Sequence, residues 1–146
     1  MTYEEIITTI ESICENHKFV NTFGYGDISD MNTPDTNEAP DYPYMFLNPI
    51  NIQADNKVSR FTFNLISMTQ AKDTKRDIIK HQSLCIQYLT DVISKFNMTL
   101  VHPLVEISTP FTITPFKERF SDDVVGATGA LTIIYNSPLD ICDKPI

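Results

Sequence analysis

The first apolar rhythm in the chain is helical. Ile6, Ile10, Ile13 and Cys14 recur at three- and four-residue intervals behind Thr2, and Glu5 stands three positions after that threonine. Thr-x-x-Glu ahead of an apolar stripe is the spacing of a capping box, in which hydroxyl and carboxylate each satisfy a backbone donor of the first turn, so the pattern predicts a helix over residues 3–18. The stripe is narrow, which predicts a helix lying on another layer, and His17 and Lys18 suit the negative end of its dipole. Phe19-Val20-Asn21-Thr22-Phe23 follows as a short predicted strand.

The rhythm then stops. From Gly24 to Asp41 the chain is rich in Gly, Asn, Thr, Pro and Asp, which reads as an extended loop over 24–41, long enough to serve as a contact arm. Alternation returns in two predicted strands, Tyr42–Ile52 and Val58–Met68, and the polar Gln53–Lys57 stretch between them predicts an antiparallel hairpin. Pro43 and Pro49 have no N–H to give a neighbour, so the first of these strands is expected at an edge or broken by a bend. In the second, Phe61, Phe63 and Leu65 alternate with Arg60, Thr62 and Asn64, giving one buried face.

From Asp73 or Thr74 to Asn97 the period is helical again. Ile78, Ile79, Cys85, Ile86, Leu89, Val92, Ile93 and Phe96 form one broad stripe, with Asp77, Lys80, Gln87, Asp91 and Lys95 opposite. Thr99–Val105, Phe111–Phe116 and Val124–Tyr135 supply the last predicted strands. Gly126 and Gly129 within the final one predict a bulge or a close approach of another backbone. Residues 136–146, with two prolines and no period, read as an extended tail. The order helix, two strands, helix, two or more strands predicts an α+β fold: a single domain over 1–146, with a mostly antiparallel sheet of about four strands and two main helices packed on it.

Composition narrows the function classes. At 146 residues there is room for one domain, and no stretch approaches the roughly 20 apolar residues of a membrane helix, so no membrane partner is expected. Glu4 and Glu5 stand where a signal peptide would carry positive charge, and Cys14, Cys85 and Cys142 are odd in number and widely spaced, as in a reducing compartment. Assembly in a cytoplasm is expected. A net charge of -8 disfavours tight phosphate binding, and the one basic cluster, Lys72, Lys75, Arg76 and Lys80, reads as a solvated helix face.

Candidate chemistry changes the picture little. Gly24-Tyr25-Gly26 lacks the third glycine and following helix of a phosphate loop. Cys14-x2-His17 and His81-x3-Cys85 have the count of a four-ligand zinc site, but each pair also fits its helix as a buried thiol and a surface imidazole. Gly-x-Ser-x-Gly does not occur, His102 before Pro103 reads as structural, and Asp122-Asp123 and Asp27 with Asp30 read as solvated acids of polar loops. No catalytic residue, cofactor or metal is expected.

The order of the pieces carries a positive signal. An opening helix is followed by Tyr42-Pro43-Tyr44-Met45-Phe46 leading into a strand, the aromatic strand Phe61-Thr62-Phe63 and a long helix. Then come Phe116-Lys117-Glu118-Arg119-Phe120, Asp122-Asp123-Val124-Val125-Gly126, an apolar strand and Asp140-Ile141-Cys142-Asp143-Lys144-Pro145. This order resembles the tail-completion or tail-terminator type proteins of bacteriophages, head–tail connectors that include versions from crAss-like phages; Ala127 stands where that pattern places an aromatic. The resemblance implies a virion structural protein without enzymatic activity, closed into a homo-oligomeric ring of six or twelve copies between portal, neck or tail neighbours, around DNA that passes without sequence-specific contact. Candidate oligomer contacts are then Tyr25, Asp27 and Asp30 in the loop, Pro43 and Pro49 at the edge strand, and Asp140, Cys142 and Pro145 in the tail. The alternative class is a small non-enzymatic intracellular binding module or regulator.

Overall fold

The computed structural model describes residues 2–27, 41–55, 57–99, 105–119 and 123–136. Thr2 caps helix α1 (Tyr3–Asn16) as its spacing predicts: its hydroxyl accepts from the Glu5 amide and the Glu5 carboxylate accepts from the Thr2 amide, both at 3.2 Å. The helix stops at Asn16, with His17 as the extended C-cap. Ile6, Ile10 and Cys14 are buried beneath it.

Strand β1 (Thr22–Tyr25) comes next, then the hairpin β2 (Tyr44–Ala54) and β3 (Val58–Gln70), helix α2 (Lys75–Thr99), and strands β4 (Val105–Ile107), β5 (Thr112–Arg119) and β6 (Asp123–Asn136). The sheet has six strands, not about four, in the order β1-β2-β3-β6-β4 with β5 also on β6. β4 and β5 both run antiparallel to β6 on the same side, β4 along Ile133–Tyr135 and β5 along Asp123–Ala130, so together they form one edge strand interrupted at Ser108–Phe111. Every pairing is antiparallel except β1 with β2, which is parallel.

Several expectations are corrected. The short strand is displaced from Phe19–Phe23 to Thr22–Tyr25, so Gly24 and Tyr25 belong to β1 and not to the loop. Thr99 ends α2 and Val105 opens β4, while the rest of the expected strand Thr99–Val105 lies outside the described residues. Asn136 ends β6, one residue into the expected tail.

Two faces of the sheet are buried differently. On one, Met45, Leu47, Phe61, Phe63, Leu65, Leu131 and Ile133 pack under α1 and α2 against Ile6, Ile10, Leu89, Val92, Ile93 and Phe96. Tyr3 stacks on Phe63 with ring centroids 6.0 Å apart. α2 passes over Gly129, where a Cβ would find ordinary contact with Ile93 and Leu89. The predicted stripe of α2 drifts, since a straight helix rotates roughly 20° per heptad against a seven-residue repeat. Along that row Ile79 is 56% exposed, Ile86 half-buried and Ile93 4% exposed, while Tyr88 joins the core unexpectedly. On the second face Tyr44, Phe46, Ile66, Met68 and Val124 form a smaller cluster with Tyr42 and Phe116. Among the described residues no helix is long and apolar enough to cross a membrane.

Candidate functional site

The β1–β2 side of the sheet collects the described candidate contacts. Thr22↔Tyr44 through Tyr25↔Leu47 pair in parallel, Gly26 N–H donates to the Leu47 carbonyl at 3.2 Å, and Asn48 Nδ2 donates to the Gly26 carbonyl at 3.0 Å. The strand is held by this ladder, by Phe23 packed against the core and by two residues at its start. Asn21 donates from its backbone to Pro43 at 2.9 Å and from its side chain to Tyr42 at 2.7 Å, and the Thr22 hydroxyl donates to Asp41 at 2.9 Å. Gly24 is needed there: a Cβ would run into the Tyr44 hydroxyl and come within 2.8 Å of the Phe46 ring.

Beyond Asn48 no described strand lies outside β2. The prolines act here in two ways. Pro43 precedes β2 and offers only its carbonyl, to Asn21. Pro49 sits at a register shift between Pro49 and Asn51, the bend expected of it, on the stretch where β2 has become the edge. Over Tyr44–Leu47, by contrast, β2 is an interior strand. The outer stretch Asn48–Ala54 carries no charge and exposes Ile50 by 48% and Ile52 by 53%. Tyr25, 45% exposed, ends β1 nearby in the ladder, its hydroxyl 2.6 Å from that of Tyr3. Burial, together with that hydroxyl, pushes the Tyr3 phenol up to about 12.

Tyr25, Asp27 and Pro49 thus lie on one side of the sheet, whereas Pro43, expected at an edge, leads into the stretch of β2 that β1 covers; Asp30, Asp140, Cys142 and Pro145 lie outside the described residues. Ile50 and Ile52 were not singled out from sequence. Their signal is the uncharged alternation Asn48-Pro49-Ile50-Asn51-Ile52-Gln53, which reads equally well as a buried strand.

A second feature lies at the other end of the hairpin's partner strand. A cleft of about 410 Å³ is lined by Gln70, Ala71, Lys72, Asp77 and His81, where β3 passes into α2. Thr74 accepts from the Asp77 amide at 3.4 Å, and the Asp77 carboxylate turns back to accept from the Lys72 amide at 2.6 Å. His81 Nδ1 donates to the Asp77 carbonyl at 2.9 Å and lies 3.5 Å from the Asp77 carboxylate. Lys117 pairs with Asp73 at 2.5 Å, and the Gln82 side chain donates to the Phe116 carbonyl at 3.0 Å.

The four residues with zinc-type spacing have other uses. The Cys14 thiol faces the Met45 sulfur at 3.6 Å, and the Cys85 thiol lies by the Ser67 hydroxyl. Burial pushes Cys14 up to about 12, with the carboxylates of Glu15 and Glu11 adding to it, and burial pushes Cys85 up to about 11 against the opposing Ser67 contact. His17 Nδ1 accepts from the Phe19 amide at 3.2 Å, so Nε2 carries the proton it donates to Asp91 at 3.1 Å, tying α1 to α2. Among the described residues no group of three or more His, Cys, Asp or Glu side chains is placed to hold a metal ion. His102 and Asp122 lie outside the described residues.

No protein-family model matches the chain, and no curated protein matches it.

Proposed function

We propose that the chain is a ring-forming structural subunit of a bacteriophage neck or tail, a tail terminator or head–tail connector that acts by shape, without catalysis, and docks adjacent rings in the virion. One observation carries this reading: the β2 edge from Asn48 to Ala54 is uncharged, unflanked by any described strand and studded with two exposed isoleucines. Natural sheets guard such edges with charge, because open backbone donors and acceptors beside apolar side chains recruit another chain. Among the described residues the guards here are Pro49 and the shift beside it, which leave Ile50 and Ile52 exposed.

An edge of this kind suits a heterologous contact, in which one surface of a subunit meets a different surface of the next and the rotation closes into a ring. The net charge of -8 suits a wall along a DNA passage, since it repels phosphate and lets the duplex slide. Electron imaging of the purified protein tests the proposal: rings of six or twelve copies support it, and a monomer that instead captures a soluble partner supports a binding module.

A further inference from the structure

Two regions of this acidic chain differ in the sign of the charge they carry. α1 carries Glu4, Glu5, Glu11 and Glu15 and no lysine or arginine within Tyr3–Asn16. Five of the chain's 11 basic residues, Lys72, Lys75, Arg76, Lys80 and Lys117, stand instead around the β3–α2 junction. The two acids in that block are already engaged: Asp73 pairs with Lys117, and Asp77 folds back onto the Lys72 amide beside His81. Among the described residues no ion pair is recorded for Lys72, Lys75, Arg76 or Lys80, and all four are exposed.

Spacing matches across the blocks. Arg76 and Lys80 are four residues apart on α2, as Glu11 and Glu15 are on α1, so each pair is separated by about 6 Å along its helix axis. Beside this face opens the cleft lined by Gln70, Ala71, Lys72, Asp77 and His81, where Lys72 and Gln70 supply an ammonium and an amide and the Asp77 carboxylate is turned onto the Lys72 amide.

We infer that the cleft and basic face at the β3–α2 junction receive the glutamate face of α1 from a second copy of this chain. The inference rests on the ring reading and names a pair of surfaces through which neighbours engage. The occupant is chosen by charge: the excess of 19 acidic over 11 basic residues makes another copy a ready source of carboxylates, and α1 presents them without an intervening cation. The two surfaces are different, so the contact is head-to-tail, as ring closure requires. Its charges are exposed apart from the half-buried Glu11, so salt weakens it as the screening length falls from about 10 Å at 0.1 M to about 3 Å at 1 M.

A charge-swap experiment on the full chain tests this. One variant, K75E/R76E/K80E, turns the receiving face acidic; the other, E4K/E11K/E15K, turns the α1 face basic. All six positions lie on helix surfaces, and circular dichroism checks that each variant stays folded. Sedimentation of wild type is expected to show oligomers whose association weakens roughly tenfold or more as salt is raised toward 1 M. Each variant alone is expected to lose assembly, because like charges then face each other. Their equimolar mixture is expected to regain it, because each variant supplies the face the other lacks. Variants that assemble as wild type does, or a mixture of folded variants that stays monomeric, overturn the inference and leave the ring standing. Wild type that is monomeric at every salt concentration overturns the ring and this contact together. Retention of duplex DNA by wild type at low salt, lost in K75E/R76E/K80E with assembly unchanged, assigns the face to nucleic acid and overturns it as well.

Discussion

Gly126 pairs with Met68 across the β3–β6 ladder, and a Cβ there would collide with the Ser67 carbonyl and lie 2.9 Å from the Met68 Cα. The atoms in the way are backbone in the two longest paired strands, which cannot step aside as a side-chain tip can. Gly126→Ala is therefore expected to cost about 3 kcal/mol or more, within the range of severe overpacking, and a urea midpoint shift measures it. The thiols are set by burial in the same way. Cys14 and Cys85, both fully buried, rise from an ordinary value near 9.0 to about 12 and about 11, and Tyr3 rises from 10.0 to about 12. The folded state holds these protons longer than the unfolded chain does. Stability from the three groups is thus complete below about pH 9 and lost as pH climbs toward 12, which thermal melts across that window check. Over the same range Cys14 and Cys85 should resist alkylation until the protein is unfolded.

Elements whose pattern is local were the ones readable in advance. The capping box needs only Thr2 and Glu5, and the hairpin needs only two alternating runs around a polar turn, so α1, β2, β3 and α2 lie within a few residues of expectation. β1 and β4 were not, and β5 runs three residues past its expected end at Phe116, because their reasons are tertiary. Thr22-Phe23-Gly24-Tyr25 is strand only because Tyr44 and Phe46 fill the space over Gly24 and β2 offers it a ladder. β5 keeps Pro115 inside a strand because it pairs on one side alone, with β6. The same limit applies to the candidate site. Pro49 betrays a strand margin in sequence, but isoleucine is ordinarily a core residue, so the exposure of Ile50 and Ile52 could be seen only with the sheet assembled. Replacing both, as I50K/I52K, is expected to leave folding stability within about 1 kcal/mol of wild type, since neither side chain is buried, while abolishing assembly. Melting and sedimentation of the same sample separate the two effects.

At the scale of the whole molecule, one sheet face bears both helices, one margin is an uncharged apolar edge, and the charge is split between an acidic α1 and a basic β3–α2 junction. Those features give a subunit two distinct surfaces and a direction. The proposed ring needs non-identical patches that fit one another, and these surfaces are the ones the proposal assigns to that task. The central claim is therefore most directly tested by the mass of the purified protein near physiological ionic strength. The account predicts a closed species of six or twelve 16.6 kDa subunits, and a monomer persisting at every concentration would contradict it.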